Sequence, residues 1–229
     1  MNIVFAYPTG LNPQKGGVER ITDIIAKILL KRGYTIFYLN WKREQDNYEY
    51  PVPVIDLPSS NLEDPNNLEV YNRFLKENRI DVIINQHGLY EGTYFLSQVK
   101  VQNVKIISVL HSDPFGYYNH LFADLMTLRD SSIKEKVKRV ARFFLYRKVK
   151  KIIHRSLVNH YTFIQEHPQY VCLLSESYKE RLEEYCDLPD NYFISIPNPN
   201  TYENIEIIPH KEPILLFVGR LDNRSKKLF

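Results

Sequence analysis

Cysteine is scarce in this chain: Cys172 and Cys186 are the two among 229 residues. That excludes a disulfide framework of the kind small secreted domains need, and both thiols read as small core residues. There is no CxxC pair and no paired-histidine spacing, so a metal centre is not expected. No apolar run approaches the roughly 20 residues that a membrane-spanning helix requires. The N-terminus, MNIVFAYPTG, lacks the basic region, apolar core and small-residue cleavage site of a secretory signal. The glycine fingerprint GxGxxG of dinucleotide-binding folds is missing too, as are internal repeats and low-complexity tracts. These absences lead to the expectation of a cytoplasmic globular protein without metal or cofactor.

What is present suits a packed core. Apolar residues make up 44 % of the chain and aromatic residues 13 %, enough for one large or two small domains. The net charge of +3 hides an uneven distribution. Between Ser131 and Arg155 ten Lys or Arg stand against one acid, Glu135, a local net of +9, which leaves the remainder at −6.

Elements alternate along the chain. Asn2–Tyr7 reads as a strand, and from Val18 the apolar residues fall at helical spacing until Gly33 stops them. Strands are expected at Tyr34–Asn40 and Val52–Leu57. A helix opens at Asp64-Pro65 and runs to about Arg79, with proline in the first turn where its missing N–H costs nothing. Asp81–Gln86 and Val104–Leu110 are continuously apolar, as strands covered on both faces must be, and Tyr90–Lys100 can supply the crossover helix between them. Helical patterns follow at Tyr117–Leu128 and from Ile133 to about Leu157. Then come the strand YVCLL, a helix with Ser175 as its N-cap, and the strand YFISI. The expected fold is therefore α/β: a Rossmann-like open parallel sheet with helices on both faces. A domain is placed at 1–198, a proline-rich linker at 199–212, and the first strand of a second, truncated domain at 213–229.

In such a sheet ligands sit beyond the carboxyl ends of the strands. Four places qualify. Gly16 and Gly17 precede a helix, so their backbone can approach an anion at its N-terminus; a flexible turn is the plainer reading. His87 follows one apolar strand, and His111 with Asp113 follows another. Each imidazole can hydrogen-bond a sugar hydroxyl, carry a proton or serve as a core side chain. Arg220 and Lys226, after the apolar run Ile214–Val218, suit a diphosphate. The basic segment keeps Ile133, Val137, Val140, Ala141, Phe144, Leu145, Val149, Ile152 and Ile153 near helical spacing. It can rest on anionic lipid or form a solvated face over a core. Nucleic acid is the least favoured partner, because no aromatic-stacking sheet or known binding motif accompanies it.

The motifs GGVER, DVIINQHG, SVLHSD, LLSESYKERL, IPNP and FVGRLDNRSKK stand here in the order found in the GT-B glycosyltransferases of family 4, which this chain resembles over essentially its whole length. The resemblance implies two facing Rossmann-like domains and retaining transfer, without metal, from a nucleotide-diphosphate sugar. The acceptor implied is a glycan or lipid-linked molecule in cell-surface polysaccharide synthesis. It implies that Gly16 and Gly17 approach the diphosphate or acceptor and that His111 lies near the transferred sugar. Arg220 and Lys226 would stabilise the departing nucleotide; Asp113 and His87 are candidates on the acceptor side. Two positions depart from the family pattern: Lys227 stands where glycine is usual, which leaves both Lys226 and Lys227 open as the diphosphate ligand, and IPNP replaces IPNG. The expectation is the acceptor-side half of a hexosyl-type transferase, inactive alone, with an anionic membrane surface as a further partner and peripheral contact at the inner membrane face. The alternative is a non-catalytic membrane-surface module using helix 133–155. A free-standing flavodoxin-like domain is disfavoured by the chain's last residues.

Overall fold

The computed structural model describes residues 1–42, 47–88, 91–126, 132–167, 169–184 and 189–199. It falls into two compact units. The first comprises Met1–Pro114 and Val158–Asn198, and the second Phe115–Leu157 and Pro199–Phe229. Arg220, Lys226, Cys186 and the expected strand at Ile214–Val218 lie outside the described residues, as do the linker from 200 onward and the truncated domain.

The first unit is built on seven parallel strands. They are β1 (Asn2–Tyr7), β2 (Thr35–Asn40), β3 (Val54–Asp56), β4 (Val82–Asn85), β5 (Lys105–Leu110), β6 (Tyr170–Leu173) and β7 (Phe193–Ser195). Their spatial order is β3-β2-β1-β4-β5-β6-β7, every pairing parallel. This is a Rossmann-like open sheet, as the continuous apolar runs predict. The chain winds outward from β1 to β3 and then returns to the other side of β1, so the topological switch lies between β1 and β4.

Alternation along β1 shows why both faces need helices. Ile3 and Phe5 join Ile36, Tyr38 and Ala26 of α1 (Gly17–Lys31) in one core. Val4 and Ala6 join Leu39 and Ile83 with Tyr71 and Leu75 of α2 (Pro65–Glu77) and Phe95 of α3 (Glu91–Leu96) in the other. α1 ends where Gly33 turns to φ +82°, a left-handed conformation that glycine adopts without a Cβ penalty. α2 starts as expected: Asp64 caps it by accepting from the Asn66 N–H at 2.9 Å, and Pro65 follows.

Three elements differ from expectation. α3 stops at Leu96 rather than near Lys100, because the Ser97 hydroxyl donates to the Tyr94 carbonyl (2.8 Å) and Asn72 Oδ1 takes the Lys100 N–H (2.6 Å). The helix after β6, α6 (Ser177–Glu183), opens with Glu176 at the N-cap position; the hydroxyl of Ser175 hydrogen-bonds that of Ser177 at 2.9 Å instead of capping. Finally, α5 runs from Ile133 to Glu166, past Leu157. Its last turns belong to the first unit, where His160, Tyr161 and Ile164 are buried and Tyr94 packs against Phe163 with ring centroids 4.5 Å apart.

Within the second unit are α4 (Gly116–Met126) and the first part of α5. Glu135 is buried there between its own helix neighbours Lys138 and Arg142, each 3.4 Å away. Several apolar residues in the first part of this helix are not covered. Ile133 is 80 % exposed, Val137 62 %, Val140 56 % and Phe144 78 %. These four lie at spacings of four, three and four, a single stripe. Continued at the same alternating spacing, that stripe reaches Arg147, Lys151 and His154.

Candidate functional site

The site is built on the carboxyl ends of β1, β4 and β5. Asn85, the last residue of β4, interrupts an apolar run and pairs in register with Ser108 of β5. Both are fully buried, where an unpaired polar group would be costly. Asn85 Nδ2 donates to Thr93 Oγ1 (3.1 Å) and to Ser108 Oγ (3.4 Å), and the Ser108 hydroxyl donates to Gln169 Oε1 at 2.9 Å. Asn85 Oδ1 accepts the backbone N–H of His87 at 3.0 Å. One asparagine thus ties the turn carrying His87 to α3 and β5.

Above this network lies a cavity of about 260 Å³. Tyr7, Val18, His87, Gly88 and His111 are among its lining residues. It straddles the switch between β1 and β4, where ligands of open α/β sheets bind. Gly88 fits because it is small: a Cβ there would come within 2.8 Å of the Val109 carbonyl oxygen. The Gly88 carbonyl faces Nε2 of the buried His160 at 3.2 Å, so α5 holds the turn from behind.

The two cavity histidines have different surroundings. His87 sits between aromatic rings, edge-on to Tyr7 at 6.0 Å and tilted against Trp41 at 6.2 Å. Burial pushes its pKa down to about 4, with Glu91 opposing the shift and Lys42 adding to it. His111 Nε2–H donates to Oε1 of the buried Gln86 at 2.5 Å. A carboxamide oxygen can only accept, so this contact places the proton on Nε2 and leaves Nδ1 with its lone pair. That Nδ1 is shielded from water and makes no hydrogen bond among the described residues. Burial pushes the pKa of His111 down to about 4 as well, and that of His160 is also lowered by burial, opposed by its bond to Gly88. At neutral pH the cavity therefore presents uncharged imidazoles.

These shifts have a consequence for folding. In the unfolded chain the histidines protonate near 6.5, and in the folded protein His87 and His111 do so near 4. A depressed folded pKa gives stability that is complete above about pH 6.5 and is lost as the pH falls from there through about 4. The urea midpoint is expected to fall between pH 7 and pH 4.5, and to fall less in a His87→Gln/His111→Gln variant. Equal acid sensitivity in the two proteins would rule out these histidines as its source.

The other sequence candidates are placed as follows. Gly16 is the N-cap of α1 in extended backbone, and a Cβ there would collide with the carboxylate of the buried Glu19. Gly17 has open space around its Cβ position. Neither lines the cavity, although Val18 beside them does. Asp113 does not line it either; its Oδ2 accepts from Arg181 Nη1 of α6 at 3.0 Å. Among the described residues no cluster of three or more His, Cys, Asp or Glu could hold a metal ion, and no helix is long and apolar enough to cross a membrane. Sequence reading places Asn85 and Gln86 in the candidate strand end Asn85-Gln86-His87-Gly88 without giving them a part in building the site, and it does not single out Ser108. A signal for them exists: polar residues stand at matching places in two otherwise apolar strands.

No protein-family model matches the chain, and no curated protein matches it. Among solved structures it is similar to WaaG, a glycosyltransferase involved in lipopolysaccharide biosynthesis, at 15 % identity and a TM-score of 0.46, over 88 % of this chain and 46 % of that one. It is also similar to the Bordetella bronchiseptica enzyme WbmH, solved in complex with NAD+, at 11 % identity and a TM-score of 0.37, over 75 % and 54 %. The chain thus spans about half the length of each.

Proposed function

We propose that this chain is the acceptor-side half of a retaining glycosyltransferase. On this reading a sugar passes from a nucleotide-diphosphate donor to a glycan or lipid-linked acceptor during cell-surface polysaccharide synthesis in the cytoplasm. The observation that carries the reading is the cavity at the switch point, walled by two uncharged histidines and backed by the hydrogen-bonded Asn85, Thr93 and Ser108. Neutral imidazoles suit hydroxyl groups, which need matched donors and acceptors rather than a fixed charge. His111 Nδ1 keeps an acceptor lone pair unpaired among the described residues, and because the atom is buried a sugar hydroxyl reaches it only when the ring turns outward. The ordered motifs of the sequence support the same assignment. In this reading Gly16 and Gly17 flank the ligand, and Arg220 with Lys226 neutralises the departing diphosphate.

The test is direct. Full-length protein is incubated with a panel of nucleotide sugars and extracted lipid-linked or glycan acceptors, and release of nucleoside diphosphate is followed. Transfer or slow hydrolysis of one donor is expected. A folded full-length protein inert toward every donor would reject the proposal.

A second reading, a membrane-surface module, is favoured by one observation: the exposed stripe Ile133, Val137, Val140 and Phe144 on a strongly basic helix. Apolar side chains with flanking Lys and Arg suit an anionic bilayer surface. Sedimentation with phosphatidylglycerol vesicles that weakens from 50 to 300 mM salt would support it. No sedimentation at low salt would remove it.

A further inference from the structure

We infer that the second unit carries a binding site for a phosphate-bearing ligand in the cavity between α4 and α5. The cavity measures about 370 Å³ and is lined by Tyr118, Arg147, Lys150, Lys151 and His154. The inference is independent of the sugar-transfer reading and concerns residues that reading does not use.

Spacing brings the cations together. Arg147, Lys150, Lys151 and His154 are separated by three, one and three residues, so successive helical turns project them from one side of α5. No counter-charge comes from the helix itself, because positions 136–165 contain neither Asp nor Glu. Among the described residues the lining includes no acid. Like charges this close repel one another and are tolerated best where an anion offsets them.

The cavity is also ordered by aromatic rings. The Lys150 ammonium lies 4.9 Å from the centre of the Tyr118 ring and 5.9 Å from that of Tyr146. Two ring faces thus hold a flexible side chain near one position, lowering the entropy lost when it binds. The Tyr118 ring packs at 5.7 Å against the His154 ring. The donor set is a guanidinium fork, two point charges, an imidazole and a phenol. That combination matches the many acceptor oxygens of a phosphate or diphosphate better than a single carboxylate. The phosphate can come from a soluble metabolite or from a lipid headgroup; the chemistry recognised is the same.

Isothermal titration with inorganic pyrophosphate at 50 mM salt tests the site. Saturable binding is expected. An Arg147→Gln/Lys150→Gln variant should bind at least tenfold more weakly, whereas Lys134→Gln/Lys136→Gln, which removes the same charge elsewhere on α5, should leave the affinity within twofold. Circular dichroism establishes that both variants remain folded. Absence of heat up to 5 mM pyrophosphate overturns the inference, and so does equal weakening by the two variants, since general attraction to a basic helix would then suffice. Neutral vesicles doped with phosphatidic acid separate the sources. Vesicle binding that pyrophosphate displaces, and that Arg147→Gln/Lys150→Gln lowers, assigns the site to a headgroup. Vesicle binding unaffected by either, alongside saturable pyrophosphate binding, assigns it to a soluble phosphate.

Discussion

Replacing Asn85 with alanine is expected to destabilise the protein by about 3 kcal/mol and to lower its melting temperature by about 6–12 °C. Asn85 makes three hydrogen bonds from one fully buried side chain. Alanine leaves the His87 N–H and the Thr93 hydroxyl without these partners. Each such orphan costs about 1–3 kcal/mol, and partial rearrangement of the Ser108 hydroxyl recovers some of it. Ser108→Ala provides the graded comparison. It removes one hydroxyl while Asn85 keeps Thr93 and His87, so a loss of about 1 kcal/mol is expected. Thermal and urea melts at pH 7.5 check both values. Equal losses would mean that the network does not act through Asn85.

His111→Ala in the full-length protein is expected to lower kcat/KM for sugar transfer by about 100-fold, the usual cost of removing one preorganised polar partner from a reacting site. Gln86→Leu should produce a smaller loss, about tenfold, because it keeps the ring and releases its orientation. Gln86 both holds the His111 ring and lines the same cavity, so its substitution should lower kcat and raise KM together. Rates of nucleoside diphosphate release measure both. Unchanged turnover in His111→Ala would take that residue out of the chemistry.

The sheet is largely legible in the order of residues. Strands buried on both faces must be apolar throughout, and Asp81–Gln86 and Val104–Leu110 carry that mark. The loops beyond them follow from the rule that open parallel sheets bind at their carboxyl ends. The partnerships are not legible. Nothing in the linear chain says that Gln86 meets His111, or that Asp113 spends its carboxylate on Arg181, 68 positions away. The end of α5 escapes sequence reading for a different reason. Asn159, His160, Tyr161 and Thr162 have modest helix propensity, and burial of His160, Tyr161 and Ile164 overrides it. The basic helix also exceeds what periodicity can give: its apolar spacing is readable, whereas the exposure of that apolar stripe is a property of the folded chain.

The packing of Trp41 supplies an instrument. It is the one tryptophan of the sequence, buried at 1 % exposure and 6.2 Å from the His87 ring. A charged imidazolium withdraws electrons from an excited indole and darkens it, whereas a neutral imidazole does so far less. Emission should therefore stay level from pH 8 down to about 5 and drop as His87 titrates near 4. A sugar or nucleotide entering the cavity that His87 lines should move the same signal. The protein thus contains its own optical reporter for site occupancy, with no label and no knowledge of the ligand required.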